Sequence, residues 1–212
     1  MSTDSVAIQE LEKIIEDIQR EYKLFHKLRE QNPLDVTDEY KKINYAYFRI
    51  FGTNYEVLPE LIRSGYMTSG IILVRTMLEL FVKSYYLEFI AKANKDDVKS
   101  YIEDDNQFPN FFQMTQKLEQ VRNDRNESFD GTFKQFTKSY LKSYEIYTLF
   151  SHGKGELLAA FYESEKMSYT SEQISDVLFT IKGMFASMAM LYFHVQGNDS
   201  ELQEFISKVK LT

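Results

Sequence analysis

Two groups of side chains in this 212-residue chain have the types and spacing that chemistry requires. The first is Arg75 and Glu79, set inside the apolar run from Ser69 to Val82. Residues four apart share a helix face, and either charge buried alone costs several kcal/mol. The two must therefore pair with each other, with another helix or with a ligand. One reading is a guanidinium presented to a phosphate and oriented by the carboxylate; the other is an ion pair that fixes helix register.

The second group is the segment from Tyr147 to Glu156, which carries Ser151, His152, Gly153, Lys154 and Gly155. An imidazole in a glycine-flanked bend titrates near neutral pH. The glycines let backbone N–H groups approach a ligand, and a helix starting near Glu156 offers its positive end to an anion. Lys154 adds charge, and Lys134, Lys138 and Lys142 at i, i+4 and i+8 form a basic stripe leading to the bend. The same residues also describe a solvated lysine face and a helix-capping turn.

Other chemistries are excluded or disfavoured. The chain has no Cys, so disulfides, thiolate metal sites and cysteine nucleophiles are ruled out and a reducing cytoplasm is the expected setting. It contains no Gly-x-x-x-x-Gly-Lys-Ser/Thr loop, no His-Glu-x-x-His and no Gly-x-Ser-x-Gly. The Glu-x-x-His pair of di-iron bundles is missing too, and with only three His no metal or other cofactor is expected. Arg20 and His26 match an Arg-x5-His spacing, but on a helix their side chains point roughly 120° apart. His194 reads as an interior or cap residue at the end of a core helix. The net charge of −7 argues against broad nucleic-acid binding while leaving room for a local basic site.

The elements that must position these groups read as helices throughout. Three Pro and eight Gly leave few breaks. Asp4 or Ser5 caps a first helix to about Glu30, with an apolar seam of Ile8, Leu11, Ile15, Ile18, Tyr22 and Phe25. Thr37 caps a second that runs toward Ser64, bent or broken between Gly52 and Pro59. After a Ser64-Gly65 turn comes the helix bearing Arg75, apolar on nearly every side and so expected at the centre of a bundle, ending near Ala91. Shorter helices are expected over 96–105 and from Pro109 to about Arg122. Thr132 caps a sixth with Phe133, Phe136, Tyr140, Tyr144 and Tyr147 on its buried face, and a short helix spans 156–162. Thr170 or Ser171 starts a long apolar helix to His194, and Gly197 precedes a last amphipathic one. That long helix is interrupted by Lys182, and its clean run from Gly183 to Phe193 is too short to span a bilayer, so it reads as a buried or subunit-interface helix and no membrane partner is expected. The N-terminus lacks the basic and apolar regions of a signal peptide. With no period-2 strand pattern and no repeat, the expected fold is one all-α domain over 1–212, a bundle of about 7–9 helices.

The stretch from Leu61 to Leu87, centred on Arg75-Thr76-Met77-Leu78-Glu79, resembles a bacterial family of domains of unknown function. Members carry a small-residue turn, an apolar helix with Arg-Ser/Thr-x-Leu-Glu, and much later a Tyr and Ser approaching a His, here Tyr147, Ser151 and His152. The resemblance spans roughly Glu60 to Gly155 and extends to the wider HEPN-like group of helical bundles. It implies a dimeric, metal-independent ribonuclease of toxin–antitoxin or phage-defence systems. The group's Arg-x4–6-His signature is absent, since the nearest Arg before His152 is Arg125. Either Arg75 supplies the guanidinium from another helix or activity is lost.

Two functional expectations follow. In the first, His152 is general acid or base, Arg75 stabilises phosphoryl charge and Glu79 orients it, while Tyr147, Ser151, Lys138, Lys142 and Lys154 hold RNA. In the second, the chain is a non-catalytic interaction module such as an antitoxin, an immunity protein or a dimeric sensor, its acidic balance suited to a basic partner.

Overall fold

The computed structural model describes residues 3–103, 107–123, 126–137, 158–159, 162–163 and 169–209. Among them the fold is all-α and bundle-like, with no strand. Helix α1 (Thr3–Arg29) is followed by α2 (Glu39–Arg63) and α3 (Met67–Tyr86). Without a break α3 passes through a π-helical turn (Leu87–Ala91) into the short α4 (Lys92–Asn94), stopped by Lys95 in the left-handed conformation. Next come α5 (Val98–Glu103), α6 (Phe111–Gln120) and a 3-10 turn (Lys134–Thr137). The chain closes with α7 (Ser171–Gln196) and α8 (Asp199–Lys208).

Several helix ends differ from the sequence expectation for local reasons. Asp38, not Thr37, caps α2: its carboxylate accepts from the N–H of Tyr40 at 2.7 Å and Lys41 at 3.1 Å. Thr37 is committed elsewhere, donating its hydroxyl to Asp35 at 2.6 Å. Helix α2 is unbroken through Gly52 and Pro59. Phe51, Tyr55, Leu58 and Pro59 are all buried there, and Arg63 ties the last turn to Glu12 of α1 at 2.9 Å and to Glu60 at 2.8 Å. Packing thus overrides the proline penalty. Gly65 takes φ +79° in the turn before α3 and Gly197 takes φ +75° after α7, as helix-ending glycines do.

The centre of the bundle is α7 rather than α3. Helix α7 packs against α1, α2, α3 and α8, and Val177, Leu178, Ile181, Phe185, Ala189 and Phe193 lie fully inside. It starts with a capping box between Thr170 and Gln173. By length and composition α7 could cross a membrane, but core helices of soluble bundles meet the same measure and more than half of it is buried here. Helix α3 is enclosed only in its C-terminal half. Its first turns bury Met67, Ile71, Val74, Met77 and Leu78 and leave Ile72 and Thr76 exposed.

Candidate functional site

The guanidinium of Arg75 reaches the carboxylate of Glu79 one turn on, with Nη2 to Oε1 at 3.1 Å. The side chains are 21% and 33% exposed, so the pair lies at the edge of the core rather than within it. This follows from the helix period: with Val74, Met77, Leu78 and Phe81 turned inward, Arg75 and Glu79 fall on the flank that also carries Ile72 and Thr76. The elements around α3 fix its orientation. Thr68 and Tyr169 share a hydroxyl hydrogen bond at 3.0 Å, which holds the start of α3 near the start of α7. The Tyr85 hydroxyl donates to the Ser187 carbonyl at 2.9 Å, which holds its end.

A carboxylate marked by no sequence motif organises the turn over residues 131–134. Glu119, buried at the end of α6, accepts backbone N–H bonds from Phe133 at 2.7 Å, Gly131 at 2.9 Å and Lys134 at 3.0 Å. Burial pushes its carboxyl up, but these donors outweigh burial and hold it below the usual glutamate range. Glu119 thus does the capping expected of Thr132, whose hydroxyl turns back to the Phe129 carbonyl. Only the 3-10 turn is seen where the sixth helix should begin; Phe133 and Phe136 are buried as expected and Lys134 faces water. No local pattern marks Glu119, because its partners lie 12–15 residues further on.

A deeply buried ion pair joins α1 to α7. Lys182 Nζ lies 3.3 Å from Glu21 Oε1 and 3.9 Å from Asp17 Oδ2, with side chains of Lys182 and Glu21 11% and 5% exposed. Burial raises the Glu21 carboxyl above its ordinary range, and the Lys182 ammonium only partly opposes this. Beside the pair, the buried Tyr55 ring stacks on Phe185 at 4.1 Å, and its hydroxyl is pushed well up by burial and by Glu21. The lysine that interrupts the apolar pattern of α7 is therefore a core residue with a partner.

The remaining histidines are placed by packing. His26 meets Tyr22 edge-on at 4.5 Å, and burial followed by Arg29 lowers its pKa; Arg20 is occupied by Asp17 at 2.7 Å. His194 is not an interior residue: it is exposed on the last turn of α7, with its ring stacked on Phe89 at 5.7 Å. Among the described residues no group of three or more His, Cys, Asp or Glu is placed to hold a metal ion. Of the residues singled out for chemistry, Arg75 and Glu79 are brought together. Lys138, Lys142, Tyr147, Ser151, His152 and Lys154 lie outside the described residues, as do Tyr140, Tyr144 and most of the expected helix over 156–162. The chain matches no known protein-family model, no curated protein and no solved structure.

Proposed function

We propose that this chain is a HEPN-like effector that binds and cleaves RNA without a metal, as a homodimer in a bacterial toxin–antitoxin or phage-defence system. The observation that carries the reading is the position of Arg75: a guanidinium braced at 3.1 Å by Glu79, on the flank of an otherwise apolar helix, with both side chains partly exposed. A charge pair that solvent reaches can exchange water for a phosphoryl oxygen. In the proposed reaction His152 takes the proton of a ribose 2′-OH, which attacks the adjacent phosphorus, and the P–O5′ bond breaks as the 5′-oxygen takes a proton from water. Arg75 stabilises the charge gathering on the non-bridging oxygens, and Glu79 keeps the guanidinium aimed. Ser151, Tyr147, Lys138, Lys142 and Lys154 hold the strand, and the products end in a 2′,3′-cyclic phosphate.

The test is cleavage of end-labelled total RNA and tRNA in EDTA by wild type, His152→Ala and Arg75→Ala, each first shown to be folded by circular dichroism. Cleavage by wild type alone, leaving cyclic-phosphate ends, supports the reading. Undiminished cleavage by folded His152→Ala ends it.

A second reading, a non-catalytic module that captures a basic protein partner, is favoured by a different observation. Helix α2 exposes Ile50 and Val57, and α5 exposes Ile102, on a chain of net charge −7. Absence of cleavage by any variant, with salt-sensitive binding of a basic partner lost on Ile50→Lys, would move the assignment here.

A further inference from the structure

Between α2, α3 and α7 lies a small void of about 10 Å³, walled by Asn44, Phe48, Ser84, Met188, Tyr192 and Gln196 among others. That is close to the room one water-sized sphere occupies. Two of the polar side chains in its wall are uncommitted. Asn44 Nδ2, Asn44 Oδ1 and Ser84 Oγ are sealed from the surface and make no hydrogen bond to a protein group. The Gln196 amide is engaged at both ends, accepting from the Asp35 N–H at 2.9 Å and donating to the Asp35 carbonyl at 3.0 Å. An amide and a hydroxyl buried without partners are costly, and native interiors satisfy such groups with ordered water.

We infer that this void is a binding site for one ordered water molecule, held jointly by Asn44 of α2 and Ser84 of α3. Asn44 offers the water a donor and an acceptor, and the Ser84 hydroxyl offers either, which supplies the bonds a buried water needs. The wall is otherwise largely apolar and uncharged, so a neutral ligand of this size fits and an ion does not. The backbone supports the assignment. One turn after Ser84 the helix widens into the π turn at Leu87–Ala91, a departure from the regular ladder of the kind that clusters at functional positions. Glu88, on that turn, is buried and keeps one carboxylate oxygen unbonded while the other holds Lys92 at 2.6 Å. The water occupies the void where Asn44 of α2 and Ser84 of α3 face α7.

The test is a crystal structure of the full chain at atomic resolution, with magnetic relaxation dispersion counting long-lived waters in solution. The expected result is a water within hydrogen-bond distance of both Asn44 and Ser84. One long-lived water should be lost in the folded double variant Asn44→Leu, Ser84→Ala. Ser84→Ala alone deletes only the hydroxyl, so if the double variant fails to fold this milder change carries the solution arm, with lower occupancy or a displaced water expected. A direct Asn44–Ser84 hydrogen bond in place of the water, an empty void, or an unchanged water in folded Ser84→Ala would each overturn the inference.

Discussion

Removing the ammonium of Lys182 separates a buried ion pair from a surface one. At 3.3 Å from Glu21 the attraction is about 5 kcal/mol at an effective dielectric constant near 20. Desolvation of the two ions offsets much of that, so the pair contributes little net stability, whereas losing one partner strands the other in the core. Lys182→Met should therefore destabilise the protein by about 3–5 kcal/mol in urea unfolding. Glu21→Gln should cost less, because Asp17 stays 3.9 Å from the ammonium. The double variant Glu21→Leu, Lys182→Met should lie within about 1 kcal/mol of wild type, since it removes both charges together. The pH dependence has a fixed sign. The Glu21 carboxyl is already raised by burial, and without Lys182 it rises further. Stability from a raised carboxyl is fully present below its unfolded value and is lost as pH rises through the folded value. The deficit of Lys182→Met should thus shrink in acid and grow toward neutrality. Strict additivity of the two single changes, or a Lys182→Met loss below about 0.5 kcal/mol, would refute the argument, because that is how an exposed pair behaves.

Three further outcomes are expected. Glu119→Ala strips three backbone N–H groups of their acceptor and should cost about 3 kcal/mol, with faster amide exchange at Phe133 and Lys134. The lowered carboxyl of Glu119 gives stability present above its unfolded value and lost as pH falls, so wild type should weaken in acid more than the variant; equal acid slopes would contradict this. Tyr85→Phe should cost about 1 kcal/mol by removing the hydrogen bond from its hydroxyl to the Ser187 carbonyl, whereas Tyr55→Phe, which deletes a buried hydroxyl with no hydrogen-bond partner, should be neutral or stabilising by thermal unfolding. A double-mutant cycle on Arg75 and Glu79 should give a coupling below about 1 kcal/mol, as for partly exposed i, i+4 pairs; a coupling above about 2 kcal/mol would make the pair a register device of the core.

The helical class, the approximate span of α1, the start of α7 at Thr170 or Ser171 and the break at Gly197 before the last helix were legible, because each rests on signals within one turn of chain. The structure departs from the local pattern where a competing local bond or a distant contact decides the matter. Asp35 captured the Thr37 hydroxyl, so Asp38 took over the cap. Burial of Tyr55 and Leu58 and the Arg63–Glu12 pair carried α2 past Pro59. The candidate site was legible only as residue types: Arg75 and Glu79 meet because the helix period makes them meet.

The sequence by itself determined the periodic faces and most of the punctuation of the helices, since apolar spacing and capping residues act through neighbours along the chain. Which helix lies at the centre was decided only by tertiary structure. Near-continuous apolarity marked α3 for the centre, yet α7 holds it: Val177, Leu178, Ile181, Phe185 and Phe193 are buried against α1, α2, α3 and α8 and Lys182 meets Glu21 there, while Arg75 and Glu79 stay partly exposed on a flank. Glu119 and Gln196 gained their roles the same way, by binding backbone groups 12–15 and 161 residues away. A buried charge or amide is tolerated only where a partner reaches it, and the partner's position is a property of the fold rather than of the local chain.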